Sequence, residues 1–132
     1  MKDNLQYFKE WIKKAEKDLI TAKHLFSIQP TPPYDIICFH SQQCAEKYIK
    51  AYLVYMEIEF EKTHDLGELM GIASTKDNNF IELIDIAEKL TDYAVDARYP
   101  VMEEPTKEEA KEAIEIAEKI KDFILKRLPS ND

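Results

Sequence analysis

One arginine is the strongest candidate in this sequence for a residue of a functional site. The 132-residue chain has sixteen lysines but two arginines, and Arg98 lies in the stretch DYAVDARYP, where an apolar helical pattern ends. A planar guanidinium forms paired hydrogen bonds with a carboxylate or a phosphate, which an ammonium group cannot copy. Arg98 is therefore predicted to belong to a polar site, where it binds a ligand phosphate or a partner's carboxylate. The alternative is an internal ion pair with Asp96, Asp65 or Glu46.

A second set of polar residues falls in the most apolar part of the chain. His40, Gln43 and Lys47 are separated by three and four residues, so a helix would place all three on one face. His40 either faces a pocket with the other two side chains or lies at the edge of the core with one hydrogen bond. His64 and Asp65 leave a similar choice, because the pair suits a functional site and Asp65 equally suits a helix cap.

Several kinds of site have no support in the sequence. Two glycines cannot build a phosphate-binding loop, and no cysteine pair or HExxH motif indicates zinc. Ser41 has no neighbouring pattern of a nucleophilic serine. We therefore expect no metal and no cofactor, and we assign no catalytic residue.

Bulk properties exclude other classes of function. The net charge of −8 disfavours strong generic binding of nucleic acid, which requires many contacts from lysine and arginine to phosphate. No run of eighteen apolar residues would span a membrane, and the first residues lack a signal peptide, so a cytoplasmic location is expected. Cys38 and Cys44 would be about 9 Å apart along one helix, too far for a disulfide, and are expected to be reduced.

Helical periodicity dominates the chain. The first predicted helix has an apolar stripe with steps of three and four residues, and the segment QPTPP at 29–33 ends it. The members of that stripe are Leu5, Phe8, Ile12, Ala15, Leu19, Ala22 and Phe26. The second helix is predicted over 34–56. Because it is apolar on most sides, it should be the central helix.

The later helices are predicted from their caps. Thr63 or Asp65 should begin a short helix that ends near residue 70, with Glu68 completing a capping box behind Asp65. Asn79 with Glu82 should open the next long helix in the same way. A third capping box, formed by Thr106 and Glu109 after Pro105, should begin the last helix.

No segment alternates with a period of two, so no strand is predicted. Four long amphipathic helices and one short helix predict an all-α fold, an antiparallel up-and-down helical bundle. The length suits one domain over residues 1–132.

These elements together resemble a known family. The segments FHSQQCAEKYIKAYLVY, KTHDLGEL and DYAVDARYP, and the first helix with Trp11, Asp18 and Leu19, are similar to the HEPN family, the nucleotide-binding domains shared by higher eukaryotes and prokaryotes. The resemblance covers roughly residues 5–128 in the order of the family.

The resemblance implies an antiparallel helical bundle, often a homodimer, commonly encoded beside a small nucleotidyltransferase and often a toxin of a toxin–antitoxin system. Its catalytic branch is a metal-independent RNase whose motif is Arg, four to six residues and then His. Arg98 would be that arginine, but Glu103, Glu104 and Pro105 occupy the histidine positions. No histidine follows His64, so the sequence departs from the catalytic motif.

The leading hypothesis is therefore a non-catalytic HEPN-type module that binds a nucleotide or a nucleotidyltransferase partner. The polar patch predicted to do so comprises Gln43, Lys47, Asp96, Arg98 and Tyr99. The alternative is an atypical RNase in which the fold brings His40 or His64 to Arg98. A third possibility is a purely structural bundle, in which internal carboxylates occupy Arg98.

Overall fold

The computed structural model describes residues 4–96, 99–100 and 103–129, with side chains for all of these except 4–6 and 96. All regular structure in these ranges is helical. The helices are α1 (Asn4–Leu25), α2 (Tyr34–Tyr55), α3 (Leu66–Ala73), a 3₁₀ helix (Asn78–Leu83), α4 (Ile84–Asp96) and α5 (Lys107–Leu125). Across these described ranges, no helix is long and apolar enough to cross a membrane. The predicted all-α fold is confirmed.

The four long helices alternate in direction. At one end of the α1–α2 pair, the Phe8 ring packs edge-on against Tyr55 with centroids 5.1 Å apart. At the other end, Asp18 contacts His40 at 2.9 Å. Because residues early in α1 meet residues late in α2, these two helices are antiparallel.

An aromatic cluster fixes the other two long helices. The Phe80 ring lies 4.7 Å from Tyr52 of α2 and 4.9 Å from Phe123 of α5, between ring centroids. At the opposite end of α4, the Tyr93 hydroxyl donates to Glu112, near the start of α5. The helix α5 therefore runs parallel to α2 and antiparallel to α4, and the bundle is up-down-up-down as predicted.

The helix α2 is the centre of the bundle, as its sequence predicts. Thirteen of its residues are buried, on more than one side of the helix. They are Ile37, Cys38, Ser41, Gln42, Cys44, Ala45, Glu46, Tyr48, Ile49, Lys50, Ala51, Tyr52 and Leu53. Four of the thirteen have polar or charged side chains. Buried polar groups are costly without partners; Gln42, Glu46 and Lys50 have hydrogen-bond partners, whereas Ser41 Oγ has none within the described residues.

The chain leaves α2 through Glu57, whose backbone is in the left-handed conformation. Glu57 has φ 57°, a conformation that side chains disfavour. The Ile58 amide donates to the Leu53 carbonyl at 2.9 Å, and the Glu57 amide donates to the Val54 carbonyl at 3.1 Å. These two bonds form a Schellman motif, which satisfies carbonyls at the end of the helix.

The cap of α3 is partly as predicted. Asp65 is the N-cap, and its carboxylate accepts from the Glu68 amide at 3.1 Å. The predicted capping box is not formed, because the Glu68 carboxylate accepts instead from the Thr63 hydroxyl at 3.3 Å. The helix continues to Ala73, beyond the predicted end near residue 70.

The prediction that Asn79 and Glu82 open the long helix after α3 is wrong. The cap is Asp77, whose side chain accepts from the Asn79 amide at 2.9 Å, and it begins a 3₁₀ helix. Asp77 is held in place by Arg127, which donates to it at 2.6 Å from beyond the end of α5. This distant partner overrides the local capping pattern, and α4 begins only at Ile84.

The start of α5 is as predicted. Thr106 accepts from the Glu109 amide at 3.1 Å, while the Glu109 carboxylate accepts from the Thr106 amide at 2.8 Å. This reciprocal pair satisfies two donors at the start of the helix.

The two cysteines are free and buried, also as predicted. Burial raises the pKa of both Cys38 and Cys44 to about 12. Since the thiolate is the reactive form, both side chains act as packing groups.

Removing the Phe80 ring should destabilise the bundle strongly. Phe80 is 0 % exposed and links α2 with α5, whereas the neighbouring Ile81 is 55 % exposed. We expect Phe80→Ala to lower the free energy of unfolding by about 3–5 kcal/mol, and Ile81→Ala to change it by about 0.5 kcal/mol or less. Urea titration followed by circular dichroism measures both. Equal losses would contradict the packing described here.

Candidate functional site

A buried ion pair on α2 anchors the candidate site. Glu46 and Lys50 are one helical turn apart, and their charged groups meet at 2.9 Å with side chains 5 % and 7 % exposed. The Lys50 ammonium also lies over the rings of Trp11 and Phe60, at 5.7 and 5.9 Å from their centroids. The aromatic faces and the carboxylate together offset the cost of removing this ammonium from water.

The second oxygen of the same carboxylate holds a histidine. Glu46 Oε1 lies 2.9 Å from His64 Nδ1, and the Gln42 amide donates to the His64 carbonyl at 2.8 Å. A carboxylate can only accept, so Nδ1 carries the proton. In the neutral ring, Nε2 is then an acceptor, and the imidazole is 57 % exposed. The contact therefore fixes both the tautomer and the orientation of His64.

The charge state of Glu46 follows from these contacts. Burial raises the pKa of its carboxyl, but hydrogen bonds from Lys50 and His64 outweigh burial, so the pKa lies below its usual value. Glu46 is therefore ionised at neutral pH. Because the pKa is lower in the folded state, the stability from this group is present above the unfolded-state pKa. It is lost as the pH falls through the folded-state value.

His64 opens on a pocket of about 230 Å³. Its lining comes from three parts of the chain: Gln42 on α2, His64 and Asp65 before α3, and Thr91, Ala94 and Val95 on α4. The Thr91 hydroxyl accepts from the Leu66 amide at 3.2 Å and so joins α3 to α4. We call this feature the His64 pocket. It brings together three sequence segments that are distant in the chain.

Lys47 of the predicted patch, and His40, which was a possible site residue outside it, lie elsewhere on α2. The buried Asp18 of α1 contacts His40 Nδ1 at 2.9 Å with one oxygen and Lys47 Nζ at 2.5 Å with the other. This arrangement matches the expectation of a histidine at the core edge with a hydrogen bond. The Lys47 ammonium has a carboxylate partner inside the protein.

Of the other predicted patch residues, Gln43 lies beside the His64 pocket. Gln43 donates from its amide to Gln42 Oε1 at 3.0 Å, and Gln42 lines the pocket. Tyr99 is 56 % exposed. Asp96 is the last residue of α4, but its side chain lies outside the described part of the structure, as does Arg98.

Sequence reasoning missed most of the residues that build the pocket. Gln42, Glu46 and Lys50 form a row with steps of four residues, and such a polar row on an otherwise apolar helix could have indicated a buried network. Thr91 carries no comparable signal, because its role depends on the packing of α3 against α4.

The described ranges contain no group of three or more His, Cys, Asp or Glu residues that could hold a metal ion. The His64 pocket offers hydrogen bonding and proton transfer at one oriented imidazole.

Comparison with known proteins places this architecture in a family. The family model for the HEPN domain matches residues 8–128. The chain belongs to the HEPN family. Its match includes residues of all five α-helices described above, among them α2 and the segments that form the His64 pocket. The predicted resemblance is thereby confirmed.

Relatives of this HEPN chain are similar over most of their length. A Methanocaldococcus jannaschii protein named "Putative toxin MJ1304" is 36 % identical over 140 residues, covering 92 % of this chain and 90 % of that protein. The crystal structure of ST0689, described as an archaeal HEPN homologue, superimposes with a TM-score of 0.73 and 29 % identity. That match covers 98 % of this chain and all of the other.

A third relative is TT1696 from Thermus thermophilus. Its crystal structure matches with a TM-score of 0.77 and 25 % identity, covering 92 % of this chain and 98 % of that one. Two experimental structures therefore share this helical arrangement.

Removing the carboxylate of Glu46 should destabilise the HEPN bundle more than removing a surface carboxylate. In Glu46→Ala, Lys50 stays buried without its partner, which typically costs about 3–5 kcal/mol. Glu118 pairs with Lys23 at the surface, so Glu118→Ala should cost about 1 kcal/mol or less. Chemical denaturation of the two variants measures the difference.

The double variant Glu46→Leu/Lys50→Met tests the reason for that cost. Removing both charges should restore most of the stability lost in Glu46→Ala, because no buried charge is left unpaired. A double variant as unstable as the single one would show that the ion pair does not explain the loss.

Proposed function

We propose that this HEPN protein is a non-catalytic binding module that acts with a small nucleotidyltransferase in a toxin–antitoxin-like pair. The toxin-like role rests on the name of the M. jannaschii relative, which is 36 % identical. The nucleotidyltransferase partner rests on the family resemblance. A cytoplasmic location is part of this proposal and agrees with two free, buried thiols.

The observation that carries the binding role is the convergence at the His64 pocket. Three of the sequence segments that resemble the family line it together: the first contributes Gln42, the second His64 and Asp65, and the third Ala94 and Val95. At about 230 Å³ the pocket is smaller than the roughly 300–1,000 Å³ typical of a whole small molecule. It suits one polar group, such as a phosphate of a nucleotide or a carboxylate of a partner protein.

Arg98 is the residue we assign to that group. It follows Val95, which lines the pocket, by three positions in the sequence. Lys47 already engages Asp18 at 2.5 Å, and Glu46 is occupied by Lys50 and His64, which weakens the alternative of an internal Arg98–Glu46 pair. We therefore propose Arg98 as the main anion-binding residue.

The rest of the patch would surround the bound group. In this proposal Tyr99, which is 56 % exposed, stacks or packs against the ligand, while Gln43 and Asp96 contribute polar contacts. Lys47 is paired with Asp18, so it would contribute positive charge near the ligand without contacting it directly. We also propose that the protein is a homodimer with a single domain in each chain.

A second function is favoured by one specific contact. The Glu46 carboxylate holds His64 with Nδ1 protonated, which leaves Nε2 to accept a proton. A metal-independent RNase needs such a base to activate a 2′-hydroxyl. In this second candidate His64 would replace the histidine absent from positions 103–105, and Arg98 would stabilise the phosphate.

Nucleotide binding should depend on the shape of the Arg98 side chain and not on its charge alone. We expect Arg98→Lys to weaken binding by about tenfold, because the paired hydrogen bonds are lost while the charge is kept. Titration calorimetry with mononucleotides measures this. Arg127→Lys is the matched control, since Arg127 bonds to Asp77 at the other end of the bundle. Absence of heat with every nucleotide would favour a protein as the ligand. If Arg98→Lys binds nucleotide as tightly as Arg127→Lys, Arg98 is not part of the binding site.

The isolated protein should not cleave RNA at a measurable rate. The family's histidine is absent and the net charge of −8 weakens the attraction of RNA. Incubation with labelled single-stranded RNA and with tRNA checks this. Cleavage that is lost in both Arg98→Ala and His64→Gln, but kept in His24→Gln, would establish the RNase alternative. His24 is the control because it is exposed on α1.

A further inference from the structure

A second concave site lies on the other side of the bundle. A groove of about 620 Å³ runs between α1 and the end of α5. Its apolar lining is Ile12, Leu125, Pro129 and the almost fully buried Phe8, and Lys13 and Lys17 also line it. We call it the α1–α5 groove. Its volume falls within the range of small-molecule sites, and it shares no residue with the His64 pocket.

The two lysines of the groove are at most weakly paired with acidic side chains of the described residues. Lys13 approaches Glu10 at 3.7 Å with a side chain that is 74 % exposed, a geometry that contributes little. Lys17 is exposed, and its ammonium has no ion-pair partner among residues 7–95, 99–100 and 103–129. Two cations one helical turn apart therefore stand beside an apolar surface.

The one carboxylate that lines the groove is already engaged. Glu16 accepts a hydrogen bond from the Tyr48 hydroxyl and also contacts the Lys121 ammonium at 3.3 Å. Burial, together with the Glu16 contact, raises the pKa of Tyr48, so this hydroxyl stays a donor. Glu16 is therefore tied to the bundle rather than to Lys13 or Lys17, and the groove offers net positive charge in a chain whose net charge is −8.

We propose that the α1–α5 groove binds a small amphipathic anion. The apolar body of the ligand lies against Ile12 and Leu125, and a carboxylate, sulfate or phosphate head contacts Lys13 and Lys17. This proposal does not depend on the function of the His64 pocket, because the two sites lie on different helices.

Two other occupants fit the groove less well. Phe8 is 1 % exposed, so it offers no ring face on which a nucleotide base could stack. A second copy of the chain whose two-fold axis passed through the groove would bring the lysines of both grooves together, and like charges oppose such a contact. A ligand with one hydrocarbon body and an anionic head can contact the apolar surface and both lysines at once.

The probes are alkyl compounds that separate body from head group. Octanoate and decanoate differ by two methylenes, and full burial of each methylene tightens binding by about fourfold. Decanoate should therefore bind about fifteenfold more tightly than octanoate, or somewhat less where the chain stays partly exposed. Decyl sulfate and decyl phosphate identify the preferred head, and decyltrimethylammonium is the cationic control. Titration calorimetry below the micelle concentration measures all five.

Variants of the full chain locate the site. Lys13→Gln/Lys17→Gln should weaken decanoate binding by about three- to tenfold, and Leu125→Gln should weaken it as well. The matched control is Lys107→Gln/Lys111→Gln, at the opposite end of α5, which should bind like the wild type. Leu125 is 38 % exposed and the lysines are exposed, so circular dichroism should show folded variants.

Three results would overturn the proposal. They are absence of decanoate binding, equal binding of decyltrimethylammonium, and equal losses in the Lys13/Lys17 and Lys107/Lys111 variants. Nucleotide titrations with the Arg98 variants are a separate measurement, so failure of this proposal is distinguishable from failure of the proposed function.

Discussion

A buried carboxylate on the central helix connects the core of this protein to its candidate site. The Glu46 side chain is 5 % exposed and binds Lys50 with one oxygen and His64 with the other. Without Lys50 the carboxylate would be an unpaired buried charge, and without His64 the segment before α3 would lose a fixed point on α2. The pair therefore constrains both the packing around Trp11 and the orientation of the exposed imidazole.

The same arrangement occurs a second time between α1 and α2. Asp18 is a buried acid that binds one histidine and one lysine, His40 and Lys47. Each cluster neutralises its charges locally, so α2 can be central although it carries several ionisable side chains. The two clusters differ in exposure: the His40 side chain is 26 % exposed, whereas that of His64 is 57 % exposed and lines a pocket. The second cluster is therefore the one that supports the proposed binding site.

The two concave sites differ in chemistry because different helices form them. The His64 pocket lies where α2, α3 and α4 meet, and hydrogen bonds already occupy several of its polar atoms. The α1–α5 groove is more apolar, with lysines beside it. Among the concave surfaces of the described residues, this bundle thus has a small polar pocket and a larger amphipathic groove. Binding at one can be tested without disturbing the other.

The sequence by itself determined the helices and most of their packing. The apolar stripe of α1, the capping box at Thr106 and the burial of α2 all follow from interactions within a few residues, which periodicity and capping residues encode directly. The family was also predictable, because several segments in order carry the resemblance. The start of α4 was not, since Arg127 holds Asp77 from fifty residues away.

Only the tertiary structure determined which charged side chains have a partner inside the protein. His40 and Lys47 share a face of α2 as their spacing predicts, but that face meets Asp18, twenty-two positions before His40. His64 gained an orienting carboxylate eighteen positions earlier in the chain. Helix formation depends on neighbours three and four residues apart. The partner of a charged side chain depends instead on which helices pack together, and no local pattern records that choice.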